Sequence, residues 1–152
     1  MTEALKTFFL AMTPVNELRG TIPLALWVFN LPPLKAYFFA VLGNAVPPIF
    51  IIFFLKNLSN LLRKIPVFQR FFTWLFERTY QKFYKKYSFY GDLALVFFVA
   101  IPLPMTGAWT GSVAAFLFKI PYWRALLLIF LGILISGAIV TLASLGIINL
   151  AL

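Results

Sequence analysis

The ten residues Pro102-Leu-Pro-Met-Thr-Gly-Ala-Trp-Thr-Gly111 interrupt an apolar stretch that runs from Leu93 to Phe118. The pieces on either side, Leu93–Ile101 and Ala108–Phe118, would extend about 14 Å and about 16 Å as helices, roughly half of a hydrocarbon core. Two half-length helices joined by such a break predict a re-entrant hairpin, because irregular backbone at membrane depth must be buried in protein or line a watery cavity. A single kinked spanning helix is the alternative.

The N-terminal part of the chain has the same layout. Its apolar stretch, Glu3–Phe29, is interrupted between Thr13 and Pro23. An uninterrupted apolar stretch then follows each broken one, Leu34–Leu55 in the first case and Ala125–Ile148 in the second. Each is long enough to cross a bilayer as one helix. The breaks at residues 13–23 and 102–111 are called the first tip and the second tip below.

The two halves of the chain, residues 1–55 and 93–152, resemble each other. Leu31-Pro32 and Ile120-Pro121 precede the two uninterrupted stretches and lie 89 residues apart. If each hairpin returns to its own side while each long helix crosses once, the halves have opposite topologies. This is the inverted-repeat plan of many transporters, in which paired interrupted segments mark the binding site.

The composition indicates the same class of protein. Of the 152 residues, 62% are hydrophobic and 11% are charged, against about 45–50% and about 25% in soluble domains. We therefore predict an all-α integral membrane protein with a single membrane domain, residues 1–152. The chain has no cysteine and no histidine, which excludes thiolate nucleophiles, histidine bases and Cys/His metal sites. We expect neither an enzyme, nor a metal site, nor a cofactor.

The net charge of +9 is concentrated in a linker, residues 56–92, which carries eight of the thirteen basic residues. Basic loops beside spanning segments are typically cytoplasmic. This asymmetry predicts a multi-pass protein of the inner (plasma) membrane, with the linker cytoplasmic and both termini outside. The expected partners of the linker are anionic lipid headgroups and not nucleic acid.

Aromatic residues recur in the linker at steps of three and four, with basic residues between them, which predicts an amphipathic helix of about 20 residues. Pro66 suits its first turn, Gly91 its C-terminal cap, and Asp92 the cap of the following helix. Such a helix belongs in the inner headgroup layer, or packs on the rest of the protein or on a second copy. We also expect a homodimer, because so small a chain must cover its hairpins.

The first tip contains the most conspicuous charges, Glu17 and Arg19, beside Asn16. An ionisable residue flanked by apolar membrane segments is a functional candidate, because its insertion costs about 2.5–3.5 kcal/mol or more. In an unwound tip, Glu17 and Arg19 could pair or line a common cavity. A buried structural ion pair that joins the two hairpins is the alternative.

The second tip offers hydroxyls, glycines and free backbone N–H groups beside a helix start, a combination that suits an anion. The candidates are Thr106, Gly107, Trp109, Thr110 and Gly111. Gly107 and Gly111 also have the GxxxG spacing, so close helix packing is the alternative for them. Trp109 would stack on a ligand or fill space.

Glu17-Leu-Arg-Gly-Thr-Ile-Pro23 and the second-tip motif resemble the family of small multidrug export proteins, which looks like a compact relative of the DedA membrane proteins. The resemblance implies two re-entrant hairpins and transport of polyprenyl-phosphate lipid carriers, driven by an ion gradient or the membrane potential. Glu17 and Arg19 match the acidic and basic tip of the first DedA hairpin, whereas Trp109 and Thr110 stand where the second carries charges. Export of lipophilic cations and a non-transporting scaffold are the alternatives.

Overall fold

The computed structural model describes residues 2–62, 64–79, 88–103 and 106–151. These residues form seven α-helices and no strand, which confirms the all-α prediction. In chain order the helices are α1 Glu3–Ala11, α2 Glu17–Trp27, α3 Pro33–Leu62, α4 Pro66–Thr79, α5 Ser88–Ala100, α6 Ala108–Leu117 and α7 Tyr122–Ala151.

Two helices, α3 and α7, are long and apolar enough to cross a membrane, as predicted. Each has 30 residues, about 45 Å at 1.5 Å per residue, and so exceeds the hydrocarbon thickness. Helix α3 continues past the predicted linker boundary at residue 55. Pro47 and Pro48 lie inside it without ending it, although each proline deprives the carbonyl four residues earlier of its usual donor.

Both predicted tips interrupt helices. The chain leaves helix between Ala11 and Glu17, and again between Ala100 and Ala108. In each half the two short helices contact each other. The predicted break extended to Pro23, but α2 begins at Glu17, so Glu17 and Arg19 belong to its first turn and not to unwound chain. Because residues two apart point to different sides of a helix, the side chains of Glu17 and Arg19 leave α2 in different directions.

The two halves repeat the same helix contacts. Helix α1 packs on α3 as α5 packs on α7, and α2 contacts α7 as α6 contacts α3. Gly43 and Gly132, 89 residues apart, make these close approaches possible. A Cβ at Gly43 would overlap the Phe8 carbonyl oxygen. A Cβ at Gly132 would lie 2.9 Å from the Val96 carbonyl oxygen. The 89-residue correspondence of the sequence therefore extends to the packing.

The turn before each long helix is also repeated. Asn30 and Lys119, again 89 residues apart, both have left-handed backbone, with φ of 52° and 55°. One residue later, the N–H of Leu31 donates to Ala25, and the N–H of Ile120 donates to Ala115. These bonds satisfy carbonyls that a helix end otherwise leaves open.

The linker differs from the prediction at its C-terminal end. Helix α4 begins at Pro66 as predicted and has 14 described residues; the predicted continuation through residues 80–87, with Lys82, Lys85 and Lys86, lies outside the described residues. Helix α5 begins at Ser88, so Gly91 does not end a helix and Asp92 does not cap the next one. Both predictions are wrong. Asp92 is buried and instead pairs with Arg124 at the start of α7, a tertiary contact that the local sequence does not encode.

Helix α4 presents apolar side chains to its surroundings. Val67, Phe71 and Trp74 are spaced by four and three residues and therefore share one face. They are 75%, 53% and 55% exposed. No side chain that the structure describes on α4 is buried. In the described part of the chain, at least half of each of these three side chains is therefore exposed.

Candidate functional site

The two tips meet through Trp109. The Trp109 backbone N–H donates to Glu17 Oε1 across 3.4 Å, and its indole Nε1–H donates to the Met12 carbonyl oxygen across 3.1 Å. Glu17 and Met12 belong to the first hairpin, more than 90 residues earlier in the chain. These two hydrogen bonds hold the start of α6 against the start of α2 and the end of α1.

Glu17 supplies the N-terminal cap of α6. Gly107 occupies the N-cap position and has no side chain to offer, and Trp109 is the second helical residue. A cap oxygen normally accepts from the second or third N–H of the helix, and here a carboxylate from another helix does so. Glu17 is only 5% exposed. The positive end of the α6 dipole, which the sequence predicted as an anion site, thus holds the protein's own carboxylate.

Gly107 is required at this contact for two reasons. Its φ of 144° with ψ of −166° lies in a region that is open essentially only to glycine. A Cβ at this position would also overlap the Glu17 carboxylate. Glu17 itself has a left-handed φ of 41°. The approach of the two tips therefore rests on unusual backbone on both sides.

Arg19 is close enough for its charge to act on the Glu17 carboxylate, but the two side chains are not among the ion pairs of the described residues. The predicted direct pair is absent from that part of the chain because Glu17 turns to the start of α6. Arg19 Nε is buried and has no hydrogen-bond partner there. A guanidinium N–H without an acceptor beside a capped helix start can bind an anionic oxygen.

The other predicted site residues act locally. The single hydroxyl hydrogen of Thr106 lies within reach of the Ile101 and Leu103 carbonyl oxygens, and Thr106 Oγ1 accepts from the Leu103 N–H, so this hydroxyl orders its own loop. Thr110 Oγ1 reaches the Gly107 carbonyl at 3.4 Å.

Asn16 and Gly111 also lie outside the contact between the tips. The Asn16 side chain lies against Gly20. The backbone N–H of Asn16 donates to Thr13 Oγ1 across 3.4 Å. A Cβ at Gly111 would be 2.5 Å from Val99. The packing alternative therefore applies to Gly111, whereas Gly107 belongs to the contact between the tips.

Two buried polar residues were not predicted. Thr21 Oγ1, one turn after Glu17, and Asn44 Oδ1, inside α3, have no hydrogen-bond partner among the described residues. Asn44 is 2% exposed and lies four residues before Pro48. A polar residue beside prolines in a spanning stretch was the signal that could have identified it. The described residues contain no cluster of three or more acidic, histidine or cysteine side chains that could hold a metal ion.

No curated protein matches this chain, and no solved structure matches it. The family described as "Putative small multi-drug export protein" matches residues 17–139. The match begins at Glu17 and includes α2, the second tip and most of both long helices. It thus covers Glu17 and Trp109, though not Met12, and most of the chain. The chain belongs to this family of small multidrug export proteins.

Proposed function

We propose that this membrane protein is a transporter, not an enzyme, which moves a lipid-linked or lipophilic anion such as polyprenyl phosphate. The observation that carries the proposal is the hydrogen bond between Trp109 N–H and Glu17 Oε1. A carboxylate at a helix start, with a guanidinium nearby, occupies a place suited to a phosphate. The protein is then a DedA-like flippase that moves this lipid across the membrane.

In the proposed transport step, the substrate phosphate replaces the Glu17 carboxylate at the start of α6, and Arg19 forks onto the phosphate oxygens. Once displaced, Glu17 loses its N–H donor and takes up a proton. Release of the phosphate on the other side then requires Glu17 to lose that proton and return to α6. An ion gradient or the membrane potential drives this cycle.

The proposed placement puts both tips near mid-depth in the membrane. Helices α1, α2 and α6 have nine, eleven and ten residues, about 14–17 Å each, which is half the hydrocarbon thickness. Helix α5 has thirteen residues, about 20 Å, and is longer than the predicted Leu93–Ile101. With α3 and α7 spanning, two re-entrant hairpins form an inverted repeat. The repeated helix contacts and the glycine pair 89 residues apart support this arrangement.

The orientation in the inner membrane can be tested with single cysteines, since the chain has none of its own. Thr2 and Gln69 are both exposed. In intact cells, a membrane-impermeant maleimide should label Thr2→Cys and should leave Gln69→Cys unlabelled until the membrane is permeabilised. The reverse pattern would contradict a cytoplasmic linker and outside termini.

Helix α4 is placed in the inner headgroup layer, with Val67, Phe71 and Trp74 toward the lipid. Their exposure supports this placement. We propose anionic headgroups as the partner of this basic segment. A homodimer covers the hairpins. The alternative is that a second copy of the chain covers this face of α4. In that case, lipid-soluble quenchers of tryptophan fluorescence should reach Trp74 at low protein-to-lipid ratios but not at high ones.

The family description names multi-drug export. If the exported compounds are lipophilic cations, which is our second candidate substrate class, Glu17 would be the counter-charge. Reconstituted vesicles separate the two classes. We expect protein-dependent movement of a fluorescent polyprenyl phosphate, accelerated by an imposed ion gradient or membrane potential, and no protein-dependent movement of a lipophilic phosphonium ion. Movement of the phosphonium alone would replace the anion by the cation. Movement of neither substrate would favour the non-transporting scaffold.

A further inference from the structure

A polar cavity of about 360 Å³ lies between the end of α3 and the turn from α6 into α7. It is separate from the tips. Its walls carry two lysines, a serine, an asparagine and a tyrosine, over a floor of isoleucine and phenylalanine. The lining residues are Ile52, Lys56, Ser59, Asn60, Phe116, Lys119, Ile120, Pro121 and Tyr122.

The position of the cavity along α3 corresponds to the headgroup level of a bilayer. Lys35 and Lys56 are 21 residues apart on this helix, about 31 Å, which equals the thickness of the hydrocarbon core. With Lys35 at one surface, Lys56 is at the other. Ile52, one turn deeper and 3% exposed, marks the apolar side of this boundary.

The left-handed turn that contains Lys119 does not require a lysine. The matching turn of the first half has Asn30 where Lys119 stands, and both residues adopt the same left-handed backbone. The position 89 residues after Lys56 is Leu145. The repeat thus forms its counterpart turn without either charge. A general excess of basic residues on the cytoplasmic side explains lysines in this region, but not their convergence on one cavity.

We infer that this cavity binds the phosphate of an anionic phospholipid from the cytoplasmic leaflet. Lysine ammonium groups bind phosphate through charge-assisted hydrogen bonds, and the exposed Asn60 amide adds a donor. Ser59 is already committed, since its hydroxyl donates to the Lys56 carbonyl at 3.0 Å. The apolar floor of Ile52, Phe116 and Ile120 accommodates the glycerol and first acyl carbons, which a free phosphate does not have.

The test is native mass spectrometry of the full chain, released from detergent that contains phosphatidylglycerol or phosphatidylcholine. We expect one phosphatidylglycerol to be retained per chain in preference to phosphatidylcholine. The double variant K56Q/K119Q should weaken this retention by about tenfold, because two charged phosphate contacts are lost. The variant K56R/K119R, which keeps both charges, should retain the lipid.

Lys64 and Arg70 provide a matched control, because both are exposed, lie in the same basic segment and do not line the cavity. K64Q/R70Q removes the same charge and should change retention by less than about twofold, since exposed charges act diffusely and are screened. Equal losses in the two double variants would overturn the site. So would displacement of the lipid by an equal concentration of inorganic phosphate. E17Q should leave retention unchanged, which separates this site from the proposed transport site.

Discussion

Alanine at position 107 should destabilise the protein by about 2–5 kcal/mol, the sum of two separate penalties. The first is the backbone, since a φ of 144° is costly for any residue with a Cβ. The second is the overlap of that Cβ with the Glu17 carboxylate. The melting temperature of purified Gly107→Ala in detergent, compared with the wild-type value, measures the combined effect.

Gly146 supplies the matched control for this substitution. It lies in α7, and a Cβ there would meet no atom within 4 Å. Gly146→Ala should therefore leave the melting temperature unchanged or raise it, because alanine is favoured over glycine in a helix by about 1 kcal/mol. Adding Glu17→Ala to Gly107→Ala should recover part of the lost stability, since it removes the overlap but not the backbone cost. A Gly107→Ala protein that melts like the wild type would refute the close approach of the tips.

The sequence was sufficient to predict the two long helices and the places where the shorter helices are interrupted. The two long helices follow from apolar runs that match the thickness of a bilayer, and both tips follow from clustered proline, glycine and polar residues. These signals are local in the sequence, so they do not depend on which helices pack together in the folded protein. The ends of the linker were not predictable in the same way. Gly91 and Asp92 look like helix boundaries, but α5 begins earlier, and Asp92 pairs with Arg124, 32 residues away.

The candidate site was predictable only in part. Glu17 was identified because a charge between apolar segments is costly, and the start of α6 because its N–H groups have no partners of their own. We expected the two hairpins to meet, but the hydrogen bond between Glu17 and Trp109 was not predictable, since 92 residues separate them. Thr106 illustrates the opposite error: its hydroxyl is suitable for a ligand but is used by carbonyl groups of its own loop.

Neutralising Glu17 should abolish most of the transport while leaving the fold intact. In Glu17→Gln the amide oxygen can still accept from the Trp109 N–H, so α6 stays capped, but the charge and the titratable proton are lost. Without that proton, the displaced side chain can no longer couple phosphate release to the gradient, so we expect transport to be at least about tenfold slower, or about 1.4 kcal/mol in barrier height. The measurement is polyprenyl-phosphate movement in proteoliposomes beside thermal melting in detergent. Glu3→Gln, which removes an equal charge at a partly exposed pair with Lys6, should transport normally.

Arg19 distinguishes a transport role from a structural one. Glu17 caps α6 and forms no direct ion pair with Arg19 in the described part of the chain. The stability effects of Glu17→Gln and Arg19→Gln should therefore be coupled only through the longer-range charge of Arg19, by less than about 1 kcal/mol. A buried structural pair would instead lose about 3–5 kcal/mol when one partner is removed and regain stability when both are neutral. Arg19→Lys keeps the charge but loses the fork that grips two phosphate oxygens, so transport should fall while melting is unchanged. A folded Glu17→Gln/Arg19→Gln protein that still transports would remove both residues from the mechanism, and with them the anionic substrate.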